Sequence, residues 1–137
     1  MARVEVLDEI DASREVVWDL VSDFGGVKRI SPDVESCVLE GNGVGAVRTI
    51  NTGGIVIKER LESLDGNNYT FSYSIVEGPI PFTNYLSKVV LAPAGPQRTK
   101  INWSGSFEPA GVPEDMLKPL VEGIYRQLIA GIKKAAG

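Results

Sequence analysis

No histidine occurs in the 137 residues, and cysteine occurs once, at Cys37. Without imidazole there is no Ser-His-Asp triad, no Cys-His pair, no HExxH zinc site and no imidazole proton shuttle. A lone cysteine excludes an intramolecular disulfide framework. Positive charge is also scarce: 14 Lys and Arg stand against 18 Asp and Glu, for a net charge of −4. A nucleic-acid binder usually shows a basic patch, so no nucleic-acid partner is expected. Long apolar runs are missing too. Nothing approaches the ~18 consecutive apolar residues of a membrane-spanning helix. The stretch Met1–Val6 carries Arg3 and Glu5 where a signal peptide would have its apolar core. The chain is therefore expected to be cytoplasmic, without stable membrane insertion. Carboxylates, Lys, Tyr and Arg remain as acid–base groups. The length argues for a single domain over residues 1–137.

What is present is mostly strand. Val4, Val6 and, less cleanly, Ile10 alternate with polar neighbours, as in a half-buried strand. Ser13 suits a helix N-cap, and Val17, Trp18, Leu20, Val21 and Phe24 recur at helical spacing, so a helix is expected over 14–22, ended by Gly25-Gly26. A second short helix fits Val27–Ser31 before Pro32. Strands follow over 34–39, 46–51, 55–64, 69–75, 84–91 and 100–107. Turns at Gly41–Gly43, Gly53-Gly54, Asp65–Asn68 and Pro93–Pro96 separate most of them. Pro113, Glu114 and Asp115 suit a helix N-terminus, and Lys133-Lys134 its C-terminus. Leu117, Leu120, Val121, Ile124, Leu128 and Ile132 share one face of that ~20-residue helix. Strands joined by short turns pair antiparallel. The sheet and the long helix must bury their apolar faces against each other. A helix across the concave face of a curled sheet leaves room for a cavity.

In element order the chain resembles the START-like (SRPBCC) superfamily, which includes polyketide cyclases and dehydrases, lipid-transfer domains, birch-pollen-type allergens and plant abscisic-acid receptors. The local resemblance is to the receptors. It is carried by Glu59–Glu62 with Leu64-Asp65, Phe71–Gly78, Thr83–Tyr85, Ser36-Cys37, Val44-Gly45 and Arg48. The resemblance implies an α+β helix-grip fold: a curved antiparallel sheet of about seven strands around a long C-terminal helix, with two short helices after strand 1. Three departures weigh against a hormone switch. Glu35 stands where the receptors carry a lysine for the hormone carboxylate. The Asn51–Gly54 connection is about four residues shorter than their gate loop. Ile80-Pro81-Phe82 replaces their latch.

Glu59 shares the parity of Ile55, Ile57 and Leu61, which should face inward. A carboxylate there is costly unless paired. It is either a polar anchor or acid–base group of the cavity, or a residue that twist or a bulge turns to solvent, or a structural partner of Arg48. The resemblance maps Tyr73 and Tyr85 to cavity-lining positions, where their hydroxyls would orient a ligand. The alternative is ordinary core aromatics. Ile75 and Ser87 follow on the inward parities. Leu120, Ile124 and Leu128 form an i, i+4, i+8 row that would line the cavity or simply pack. Ile80 and Phe82, between prolines, read as a lid over the mouth, a dimer contact, or a loop folded back on the sheet. Trp18, Trp103 and Cys37 read as core, Gly41–Gly45 as a turn, and Asp8, Glu9 and Asp11 as solvated surface.

The expected ligand set is thus Ile57, Glu59, Tyr73, Ile75, Ile80, Phe82, Tyr85, Ser87, Leu120, Ile124 and Leu128. The expected partner is a small hydrophobic molecule such as a lipid, isoprenoid or polyketide, with no cofactor and no metal. One alternative is a cyclase or dehydrase using Glu59 as acid or base and Tyr73 to polarise a carbonyl. Another is a homodimerisation or interaction module without ligand.

Overall fold

The computed structural model describes residues 1–137. The chain runs β1 (Ala2–Ile10), α1 (Arg14–Val21), a 3₁₀ segment (Phe24–Arg29), β2 (Val34–Glu40), β3 (Val47–Thr52), β4 (Ile55–Asp65), β5 (Thr70–Glu77), β6 (Phe82–Gly95), β7 (Arg98–Pro109) and α2 (Glu114–Ala136). The strands form one sheet in the order β1-β7-β6-β5-β4-β3-β2, each pair antiparallel. Short connections link β2 through β7. The only long excursion carries the chain from the β1 edge to the β2 edge, through α1 and the 3₁₀ segment. This is the helix-grip architecture.

Local chemistry explains most element ends. The Ser13 side chain accepts a hydrogen bond from the Val16 N–H and caps α1. Gly53 and Gly54 both adopt positive φ, 57° and 81°, between the paired residues Thr52 and Ile55. A two-residue type I′ hairpin requires that conformation, and glycine adopts it without a steric penalty. Helix α2 begins after Pro113, with Glu114 and Asp115 in its first turn and Lys133 and Lys134 in its last. Its 23 residues span ~35 Å.

Most boundaries shift by one or more residues from the sequence reading, and β6 runs on to Gly95 through most of the turn expected at Pro93–Pro96. Gly25-Gly26 lie inside the 3₁₀ segment rather than ending α1, which closes at Ser22. The short second helix therefore starts earlier, at Phe24. Tyr69 has φ 51°, so β5 begins one residue later. Strand β6 begins at Phe82, and the register shifts between Thr83 and Leu86, where Asn84 has φ 52°. That bulge adds one residue, so Phe82 and Tyr85 both point inward while Thr83 and Asn84 stay exposed.

The core lies between the concave face of the sheet and α2. The helix buries Leu117, Val121, Tyr125, Ile129 and Ile132. It packs chiefly on β1, with further contacts to α1, β7 and the 3₁₀ segment. Gly131 makes this approach feasible: a Cβ there would lie 1.6 Å from the Ile30 carbonyl oxygen. Trp103 is buried, and its indole N–H donates to Ser87 Oγ at 3.1 Å and to the Tyr73 hydroxyl at 3.3 Å.

Candidate functional site

Because α2 leans toward β1 and β7, its middle stands away from β3–β5, and a cavity of about 320 Å³ opens between them. Strand parity chooses the walls. Strand β3 contributes Arg48, Ile50 and Thr52. Strand β4 contributes Ile55, Ile57 and Glu59, and β5 contributes Tyr73 and Ile75. Ile80, Phe82 and Tyr85 close one side, and Val121, Ile124, Tyr125 and Leu128 of α2 form the roof. Most of the lining is apolar, as small-molecule sites usually are.

One corner is charged. Arg48 and Glu59 are directly opposite in the β3–β4 register. Arg48 Nη2 lies 2.6 Å from Glu59 Oε1, and Nε donates to the same oxygen at 2.8 Å. Arg48 Nη1 donates to the Phe24 carbonyl at 3.1 Å. The guanidinium sits over the Phe24 ring at 4.0 Å and over the Tyr73 ring at 5.1 Å, a cation–π arrangement. The side chains of Arg48 and Glu59 are 8% and 13% exposed, so the pair is largely shielded from water. Glu59 Oε2, by contrast, accepts no hydrogen bond from the protein. Glu59 is thus inward-facing and paired with Arg48, rather than turned to solvent.

Three tyrosines stand nearby. The Tyr85 and Tyr125 hydroxyls hydrogen-bond to each other. Tyr125 stacks on Trp103 with ring centroids 5.7 Å apart, and its hydroxyl occupies the space above Gly105, where a Cβ would approach it to 2.1 Å. Burial pushes the Tyr73 hydroxyl above its ordinary pKa, and the Glu59 charge adds to the effect. Burial does the same at Tyr85 and Tyr125, reinforced by neighbouring tyrosines. All three are therefore neutral hydrogen-bonding groups near neutral pH rather than bases.

Nine of the eleven sequence-selected residues come together here: Ile57, Glu59, Tyr73, Ile75, Ile80, Phe82, Tyr85, Ile124 and Leu128. Two do not. Leu120 is 53% exposed on the outer side of α2, because the buried stripe runs through Leu117, Val121 and Tyr125 instead. Ser87 is wholly buried beneath the wall. Its hydroxyl donates to the Ser104 carbonyl at 3.0 Å and accepts the Trp103 indole N–H. The lid expectation also needs correction. Phe82 is buried against Phe107 and Tyr85, at 5.0 and 5.4 Å between centroids, and forms wall rather than an exposed tip. Ile80 stays half-buried at the rim.

Eleven further lining residues stand outside the sequence-selected set, among them Asp33, Arg48, Ile50, Val121 and Tyr125. Val121 was visible in the apolar face of α2, but Tyr125 stood outside the chosen row. Elsewhere, Cys37 is half-buried, and desolvation pushes its thiol pKa up, which suits an inert packing residue. The acids at the end of β1 are ion-paired: Asp8 with Lys133 at 2.9 Å, and Glu9 and Asp11 with Arg98 at 2.5 and 3.2 Å. No helix is long and apolar enough to cross a membrane.

Residues 1–137 match the family model described as polyketide cyclase / dehydrase and lipid transport. The solved structure of the protein XoxI from Bacillus cereus is 31% identical, covers 99% of this chain and 96% of its own, and superposes with a TM-score of 0.91. An abscisic acid receptor of Arabidopsis thaliana, PYL6, is 26% identical over 144 residues, 96% of this chain and 67% of the receptor. A major strawberry allergen of Fragaria ananassa, Fra a 1-C, is 35% identical over 82 residues. That match spans about half of the allergen, 51%, and 50% of this chain.

Proposed function

This chain belongs to the polyketide cyclase / dehydrase and lipid transport family, within the START-like group, and we propose that it binds one small, largely apolar molecule between sheet and helix. The observation that carries the reading is the cavity itself. Its volume of about 320 Å³ is near the lower end for small-molecule sites, and its mostly apolar walls carry the Arg48–Glu59 pair and a few other polar groups. Ile57, Ile75, Ile80, Phe82, Ile124 and Leu128 would supply affinity through buried apolar area. Glu59 and the tyrosine hydroxyls would orient the polar end of the ligand.

Thermal-shift screening with polyketide-like, isoprenoid and fatty compounds tests this reading. A binder raises the melting temperature of the wild-type protein, and Ile75→Trp, which fills the space, removes the shift. If no compound raises it, or if the filled variant still responds, the reading fails.

A second reading is cyclase or dehydrase chemistry, favoured by a carboxylate and neutral phenols sharing one cavity. Glu59 would take or give the proton, and Tyr73 would donate to a carbonyl. If Glu59→Gln turns over a polyketide-like substrate as fast as wild type, that reading is wrong.

A further inference from the structure

The cavity holds one buried cation and supplies its counter-charge from the adjacent strand. Arg48 cannot meet an incoming anion as a free cation, because Glu59 Oε1 already receives both its Nε and its Nη2. Its Nη1 is committed to the Phe24 carbonyl, and aromatic rings lie against the guanidinium plane. The remaining acceptor on this wall, Glu59 Oε2, has no protein donor. A carboxylate ligand would bring a second negative charge beside Glu59, and like charges brought together in a largely shielded site are unfavourable. A neutral ligand with a hydroxyl would instead give Glu59 Oε2 the donor it lacks. The rest of the lining is mostly apolar, with Ser31, Asp33, Thr52 and Gln127 among it, and suits a compact ring system.

We infer that Glu59 sets the ligand class of this cavity: it occupies the anion position of Arg48, so the site selects neutral, hydroxyl-bearing ring compounds and rejects carboxylates of the same shape. The inference rests on the cavity being a ligand site and adds what that site discriminates.

A matched trio of bicyclic probes tests it by calorimetry near neutral pH: 2-naphthol, neutral and hydroxylated; 2-naphthoate, ionised; and naphthalene, without a polar group. Wild type should bind 2-naphthol at least about tenfold more tightly than 2-naphthoate, and several-fold more tightly than naphthalene. Glu59→Gln releases Arg48, so binding of 2-naphthoate should strengthen by about tenfold or more and the preference should reverse.

If Glu59→Gln does not fold, the double variant Arg48→Met/Glu59→Leu carries the test. It removes both charges together, and the advantage of 2-naphthol over naphthalene should disappear. The inference is overturned if wild type binds 2-naphthoate as tightly as 2-naphthol, if Glu59→Gln keeps the wild-type order, or if the double variant keeps the hydroxyl advantage. Failure of all three probes to bind any form also overturns it. The cavity reading is then judged separately, by the response of the wild type and Ile75→Trp to the wider compound panel.

Discussion

On the side of β1 and β7, helix α2 buries Leu117, Ile129 and Ile132 until none is more than 1% exposed, whereas across from β3–β5 the walls Ile57, Glu59 and Ile75 are only half-buried and Ile55 is exposed. One helix and one sheet make both regions. The difference comes from where the helix is pinned. Gly131 lets it close onto the Ile30 carbonyl, and Trp103 stacks on Tyr125. The sheet curves away from these contacts, so the side chains of β3–β5 reach into space rather than into the helix. A void of this kind forfeits dispersion contacts along its lining. The sealed side is therefore the more tightly packed, and the open side has room for a ligand.

The largest test of this contrast removes the pin. In Gly131→Ala the new Cβ would meet the Ile30 carbonyl oxygen, which is backbone and has little freedom to retreat. A loss of ~3 kcal/mol is expected in chemical denaturation, and a loss under ~1 kcal/mol would show that the pin is not rigid. Truncations on the two sides should then differ. Ile129→Ala, at a fully packed site, should cost ~2–5 kcal/mol, and Ile57→Ala, on the cavity wall, about 1 kcal/mol or less. Equal losses would erase the distinction.

At alkaline pH the boundary between the regions should give way. Tyr73, Tyr85 and Tyr125 have folded-state pKa values above the ordinary 10.0. A raised pKa contributes stability that is complete below the unfolded value and is lost as pH rises toward the folded one. Stability should therefore fall once pH passes about 10, with these phenols ionising only as the chain unfolds. In a Tyr69→Phe background, which leaves only these three phenols, ultraviolet phenolate absorption that rises before the circular dichroism changes would contradict this.

The smallest effect belongs to the rim of the sealed side. The hydrogen bond from Lys133 holds the Asp8 pKa below 3.8. Its contribution is present above that value and disappears as pH falls through the lowered one. Since the Asp8 side chain is 39% exposed, Asp8→Asn should cost at most ~0.5 kcal/mol near neutral pH and nothing in strong acid. A cost that persists in acid would point to a packing role instead.

Much of this arrangement was readable from local pattern. Alternation along Ile55, Ile57 and Glu59, and along Phe71, Tyr73 and Ile75, names one face of each strand because side chains alternate with a period of two. The Ser13 cap and the charges at the ends of α2 were equally plain. The phase of α2 was not. Leu120, Ile124 and Leu128 and the buried row Leu117, Val121 and Tyr125 lie side by side on one broad apolar stripe, and nothing local says which half meets the sheet. The bulge at Asn84 was also hidden, since a single left-handed residue leaves little trace in composition. It decides that Phe82 is wall and not lid.

The sequence by itself determined the elements, their antiparallel pairing and the absence of imidazole and disulfide chemistry, because these follow from neighbours in the chain and from residue inventory. Only the tertiary structure decided that Arg48 and Glu59 meet at 2.6 Å in a cavity wall, that Tyr125 joins them, and that Leu120 and Ser87 do not. Those outcomes depend on strand register, sheet curvature and the rotation of one helix. All three are set by packing between residues far apart in the chain.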